Sequence, residues 1–221
     1  MSASATRQAI EHWSQTPLYY SADERYSRYP WLYQAAEFRH HRGERVLEIG
    51  CGTGADLLQF AMHGAIATGI DITSEHLKLA RERVGNKAQV LHADATNIPF
   101  KTGSFDYVYS HGVLHHIDRP RLVVEEIFRL LRPGGRFNIH VYAYWSYSHL
   151  VYRLKFGNEW KLNIENSRDP VYLDLYTGRQ LRKLFAPARI TLEKYEYYHR
   201  QALGRWIGWF LVVKGMTNTR L

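Results

Sequence analysis

The segment Glu48-Ile49-Gly50-Cys51-Gly52-Thr53-Gly54-Ala55 sets a carboxylate just before three alternating glycines. Glycines spaced this way let a chain turn tightly and bring its backbone close to a ligand. Gly50-x-Gly52-x-x-Ala55 fits the dinucleotide pattern G-x-G-x-x-G/A. Asp71 follows 21 residues after Gly50, where a carboxylate can hold ribose hydroxyls. These features call for a nucleoside-type cofactor, either NAD or S-adenosylmethionine. Three details favour the second. Glu48 would repel the doubly negative pyrophosphate of a dinucleotide but not an ammonium or a sulfonium. Asp94-Ala95 follows an apolar run and suits the exocyclic amine of adenine. The sequence has no G-x-x-x-x-G-K-[ST] phosphate loop.

His111-Gly112-Val113-Leu114-His115-His116 supplies three candidate proton acceptors. Methyl transfer from a sulfonium is an in-line displacement, so alignment provides much of the rate. A hydroxyl acceptor also needs a base or a prior ionisation. Histidine, with a reference pKa of ~6.5, is largely neutral near pH 7 and can be that base. His111, His115 and His116 are therefore the catalytic candidates, and a plain structural turn is the competing reading. Gly112 interrupts their helical spacing and no nearby carboxylate completes a set, so no metal site is expected.

The elements that must carry these residues follow an α/β rhythm. Strands are expected at Arg45–Ile49, Ile66–Asp71, Gln89–Ala93, Phe105–Ser110 and Arg136–Val141, the last after a Pro133-Gly134-Gly135 turn. Helices are expected at Ala55–His63, from a Thr73 or Ser74 cap through Val84, and at Arg121–Leu131. A helix at about 177–185 and strands near 190–198 and 206–214 close the chain. Residues 1–44 read as an N-terminal helical cap and 142–176 as an irregular acceptor-side insertion, both rich in Trp and Tyr. The expected division is thus one domain: cap 1–44, cofactor core 45–141, insertion 142–176, and closing helix and strands 177–221.

Composition narrows the class. In a 221-residue chain that is 45% apolar, one well-filled core is expected. No run approaches the ~18 apolar residues of a membrane span. The N-terminus lacks a basic start followed by an apolar core, and one cysteine, Cys51, leaves no intrachain disulfide framework. A cytoplasmic location is expected. Residues 1–145 carry 16 Lys and Arg against 15 Asp and Glu, whereas residues 146–221 carry 13 against 6. The net +8 therefore sits in the C-terminal third, which suits an anionic partner, a peripheral membrane contact or simple solubility. Nucleic acid is disfavoured, because no recognised binding module is present.

Five ordered motifs carry a family resemblance: VLEIGCGTG (46–54), GIDIT (69–73), HADATNIPF (92–100), SFDYVYSHGVLHHI (104–117) and LRPGGRF (131–137). Over about residues 45–141 the chain resembles class I S-adenosylmethionine-dependent methyltransferases of the type 11 group, related to the quinone-biosynthesis enzymes. That resemblance implies a Rossmann-like α/β fold with a seven-stranded sheet in the order 3-2-1-4-5-7-6, its last strand antiparallel. It places Gly50, Gly52 and Gly54 beneath the methionine and ribose, Glu48 at the amino group, Asp71 at the ribose and Ile72 against adenine. Asp94 and Ala95 would meet the adenine edge, and Ser110 and His111 would lie beside the methyl donor. An N-terminal aromatic, Tyr20, Tyr26 or Tyr29, would close over the cofactor. The expected activity is methylation of an O or N atom of a small-molecule or lipid-linked acceptor, anionic or aromatic in character. Arg153, Lys155 and Arg168 are placed to meet an anionic group. The alternatives are carbon methylation of a quinone-type ring and a non-catalytic cofactor-binding homologue.

Overall fold

The computed structural model describes residues 10–15, 21–161, 172–195 and 208–217. Five parallel strands, β1 (Arg45–Ile49), β2 (Ile66–Asp71), β3 (Gln89–His92), β4 (Phe105–His111) and β5 (Leu131–Tyr142), are joined by β6 (Ile190–Tyr195) and β7 (Phe210–Met216). The sheet order is β3-β2-β1-β4-β5-β7-β6, as expected, with β7 antiparallel to both neighbours. Expected strand positions 196–198 and 206–207 lie outside the described residues.

The helices that bear on the site are α1 (Ala22–Arg28), α2 (Leu32–Ala35), α3 (Ala55–Met62) and α4 (Ser74–Val84). Further along come α5 (Pro120–Leu130), α6 (Tyr147–Phe156) and α7 (Gly178–Leu184). Helix α1 starts in a capping box, in which Ser21 and Glu24 each accept from the other's backbone N–H. Thr73 stands at the N-cap of α4, but its side chain makes no capping bond there. Pro120 opens α5 one residue earlier than expected, because a helix's first N–H needs no partner.

Alternation along the strands sorts side chains onto two faces. Leu47, Ile49, Val108, Phe137 and Ile139 pack with Val123, Ile127 and Leu130 of α5 and Leu181 of α7. Val46, Tyr107, Tyr109, Phe210 and Val212 pack on the other face with Leu57 and Phe60 of α3 and with Trp31 and Leu32. Each fully buried Leu, Ile or Phe contributes about 1.5–3 kcal/mol, so these clusters hold the sheet rigid beneath its loops.

The boundary between α5 and β5 is corrected. Leu131 pairs with Phe105 at the end of α5, so β5 begins before the Pro-Gly-Gly turn. Arg132 to Gly135 then bulge from the ladder opposite Asp106 before Arg136 pairs with Tyr107. The bulge is held by the Arg132 guanidinium, which donates to Asp106.

Candidate active site

A pocket opens at the C-terminal ends of β1 to β4, where the sheet order reverses between β1 and β4. Ligands of open α/β sheets bind at such a switch point, because loops there diverge to opposite faces. Glu48, Gly50, Gly52, Asp71, Ile72, Asp94, Ala95 and His111 from the sequence reading line it, as does His116.

The glycine loop is tied to the sheet by the N–H groups of Gly50 and Cys51, which both donate to Ile70 O, at 2.8 and 2.9 Å. Gly50 has a φ of 70°, and a Cβ there would lie 2.2 Å from Val113 Cγ2. Gly52 also has a positive φ, 50°, yet a Cβ there would meet nothing within 4 Å. Its missing side chain leaves pocket space against bare backbone. Gly54 caps α3 beside Ala80 of α4 and does not line the pocket.

Two carboxylates flank the loop, in opposite electrostatic states. Asp71 Oδ2 accepts from Gly52 N–H and Oδ1 from Thr73 N–H, each at 2.9 Å. Burial works against its charge, but the His76 ring 3.6 Å away and these amides outweigh it, and its pKa lies below the ordinary value. Its oxygens keep lone pairs for two further donors. Glu48 is only 3% exposed and its Oε2 has no hydrogen-bond partner. Burial first, then the neighbouring Asp56 and Asp71, push its pKa well above the carboxylate range. A cation entering beside Glu48 would relieve that cost. The residues present therefore fit S-adenosylmethionine: an orphaned buried carboxylate for the ammonium, a pre-oriented aspartate for the ribose and a bare loop between them. Asp94 Oδ1 accepts from the Thr96 N–H and hydroxyl, both at 2.8 Å, which orients its carboxyl group.

The remaining expected residues lie as follows. Ser110 is buried off the pocket and donates to Ile49 O at 2.9 Å, locking β4 to β1. His111 Nδ1 lies 2.9 Å from His140 Nδ1. His115 is fully buried, stacks on Tyr142 with ring centres 3.9 Å apart, and does not line the pocket. Burial and then the neighbouring histidines hold its pKa well below 6.5. His116 Nδ1 lies 3.0 Å from Tyr172 O, and its ring meets Trp13 edge-on. Tyr26 donates to Asp56 at 2.9 Å, and Tyr29 packs against His111 and Phe210. Neither tyrosine lines the pocket, whereas Trp13 does. Tyr20 and Arg168 lie outside the described residues.

Sequence reasoning passed over several lining groups. Arg25 of α1 donates to both oxygens of Asp56 at the start of α3, and both residues line the pocket beside Glu48. His76 lies beneath Asp71 and also lines it. The sequence signal for Arg25 was the capping box that starts its helix, and for His76 its position one turn into α4 after Asp71.

The strand order and this pocket define a class I methyltransferase fold. Residues 47–139 match the family model described as a methyltransferase domain. An O-methyltransferase of Aspergillus nomiae is 36% identical over 104 residues, covering 44% of this chain and 46% of that protein. The demethylmenaquinone methyltransferase of Clavibacter sepedonicus is 36% identical over 99 residues, covering 44% and 40%. The chain thus matches less than half the length of these curated relatives. A solved structure from Thermotoga maritima, described as a possible histamine N-methyltransferase, superposes with a TM-score of 0.70 at 19% identity. It covers 95% of this chain and 99% of that one and shares its fold.

Proposed function

We propose that this protein transfers a methyl group from S-adenosylmethionine to an O or N atom of a small-molecule or lipid-linked acceptor. The observation that carries the reading is the pair of carboxylates across the glycine loop: Glu48 buried with Oε2 unpartnered, and Asp71 charged and oriented by Gly52 and Thr73. When bound, the cofactor supplies a methyl carbon on a positive sulfur, which keeps the C–S electron pair as the acceptor's lone pair bonds that carbon. The chain's own part is alignment and proton removal. Glu48 holds the amino group and Asp71 the ribose of the cofactor, and the bare Gly52 backbone allows close approach. His111, which lines the pocket, takes the proton from a hydroxyl acceptor in this reading.

An apolar or anionic acceptor, or a lipid surface that presents one, is supported by α6 and the residue before its cap. Trp145, Leu150 and Leu154 are exposed there, with Arg153 and Lys155 on the same helix. Among the described residues no helix is long and apolar enough to cross a membrane. The single cysteine suits a reducing compartment such as the cytoplasm. A second reading, carbon methylation of a quinone-type ring, is supported by the similarity to the Clavibacter protein.

Calorimetric titration with S-adenosylmethionine and its demethylated product, with NAD as control, tests the cofactor. Binding of the first two alone is expected, and NAD binding alone would refute the proposal. Acceptor-dependent appearance of the demethylated product then separates an enzyme from a cofactor-binding homologue, and identifying the methylated atom separates oxygen or nitrogen from carbon.

A further inference from the structure

Behind His111 lies a buried chain of hydrogen bonds that no cofactor or acceptor contact requires. Asn138 and His140, both on β5, are 0% exposed. Asn138 Nδ2 donates to Ala35 O at 2.7 Å, and a backbone carbonyl can only accept, so the orientation of this amide is settled. Its Oδ1 is 2.9 Å from His140 Nε2 and must accept, which puts a proton on Nε2. Burial, above all, lowers the His140 pKa to about 3, so near neutral pH this ring holds a single proton. His140 Nδ1 is therefore a lone pair. His111 Nδ1, 2.9 Å away, must be the donor in that contact. Burial and then Arg25 hold His111 well below its ordinary pKa, so it too is a neutral ring with one proton.

We infer that His140 and Asn138 are positioning residues that hold His111 as its Nδ1–H tautomer, leaving Nε2 as an unprotonated acceptor for the pocket that His111 lines. The direction is imposed from the backbone outward, from Ala35 O through Asn138 and His140 to His111. A proton leaving an acceptor hydroxyl would move to Nε2, and the Nδ1–H bond to His140 would be kept in the resulting imidazolium. The tautomer stands on the hydrogen bonds together with the neutral state that burial gives both rings. Its use as a base rests on the methyl-transfer reading above.

Long-range proton–nitrogen NMR of the full chain labelled on histidine nitrogen reads the tautomer directly, with His111→Gln used to assign the His111 signals. The expected spectrum shows His111 protonated at Nδ1 and His140 at Nε2. His111 protonated at Nε2 in the unmodified protein would overturn the inference, with no dependence on how any variant folds. His140→Asn keeps an oxygen near the old Nδ1 position and should preserve the His111 pattern. His140→Phe removes the acceptor and should give a tautomer mixture at His111, whereas an unchanged spectrum in this variant would also count against the relay. Calorimetric affinity for S-adenosylmethionine should change less than twofold in His140→Asn. Loss of cofactor binding in the unmodified protein would instead refute the methyl-transfer reading and leave the tautomer result standing.

Discussion

Arg25 and Asp56 are joined by two parallel hydrogen bonds of 2.6 Å, Nε to Oδ1 and Nη2 to Oδ2. This fork ties the N-terminal helix α1 to the first turn of α3, beside Glu48, with Tyr26 and Tyr109 donating to the same carboxylate at 2.9 Å. Asp56 is 1% exposed, and the Arg25 side chain 16%. Burial alone would raise the Asp56 pKa, but Arg25 and the two hydroxyls hold it low. Arg25→Met should therefore strand a buried charge and destabilise the fold by about 3 kcal/mol. Urea unfolding measures this. A loss of less than ~1 kcal/mol would mean that the pair anchors little.

Asp71→Ala should weaken S-adenosylmethionine binding by about 1–3 kcal/mol, the worth of charge-assisted hydrogen bonds to ribose. That is roughly 5- to 150-fold in Kd. Calorimetry reads the affinity, and circular dichroism checks the fold, since Gly52 and Thr73 lose an acceptor as well. Unchanged affinity in a folded variant would remove Asp71 from the site.

Glu48→Gln should act with opposite signs on the free and bound protein. Removing a raised, unpartnered buried carboxyl group should leave the ligand-free protein as stable or more so. The same change should cut the affinity for a cofactor bearing an ammonium and spare one without it. Thermal melting with and without S-adenosylmethionine tests both halves, and a fall in ligand-free Tm with full retention of the ligand-induced shift would contradict this role.

Acid should destabilise the fold through its buried neutral histidines. His140 and His149 have native pKa values of about 3 and about 4, and those of His111 and His115 also lie well below 6.5. Each takes up a proton on unfolding below pH 6.5 but not in the native state, so stability present above that value is lost as pH falls toward the native pKa. His140 and His149 should each remove about 1 kcal/mol between pH 7 and 5.5, and His111 and His115 should act in the same direction. Urea midpoints at the two values measure the sum, and His140→Asn should reduce the difference by about one histidine's share.

The elements of the cofactor core were legible because their signals are local. Apolar runs, the first ending at Gly50, the second closed by Asp71 and the third followed by Asp94, mark strands that must deliver their ends to one edge. The start of β5 was not, since nothing near Pro133 shows that Leu131 already pairs with Phe105 across the sheet. Val113 as the reason for glycine at position 50 was equally hidden, being 63 residues away in the chain.

The histidine-rich turn separates the two kinds of information most clearly. Residue types and order alone place His111, His115 and His116 after the fourth strand and supply three similar imidazoles. Tertiary packing distinguishes them: His111 and His116 line the pocket, while His115 is sealed against Tyr142. It also joins His111 to His140, Asn138 and Ala35 through a chain of hydrogen bonds. A ring's protonation is set by the groups that surround it in space, and those groups come from strands and helices far apart in sequence. Motif spacing therefore marked the parallel α/β core and a nucleoside-type cofactor, whereas only the packed structure decided which imidazole faces the pocket and which of its nitrogens carries the proton.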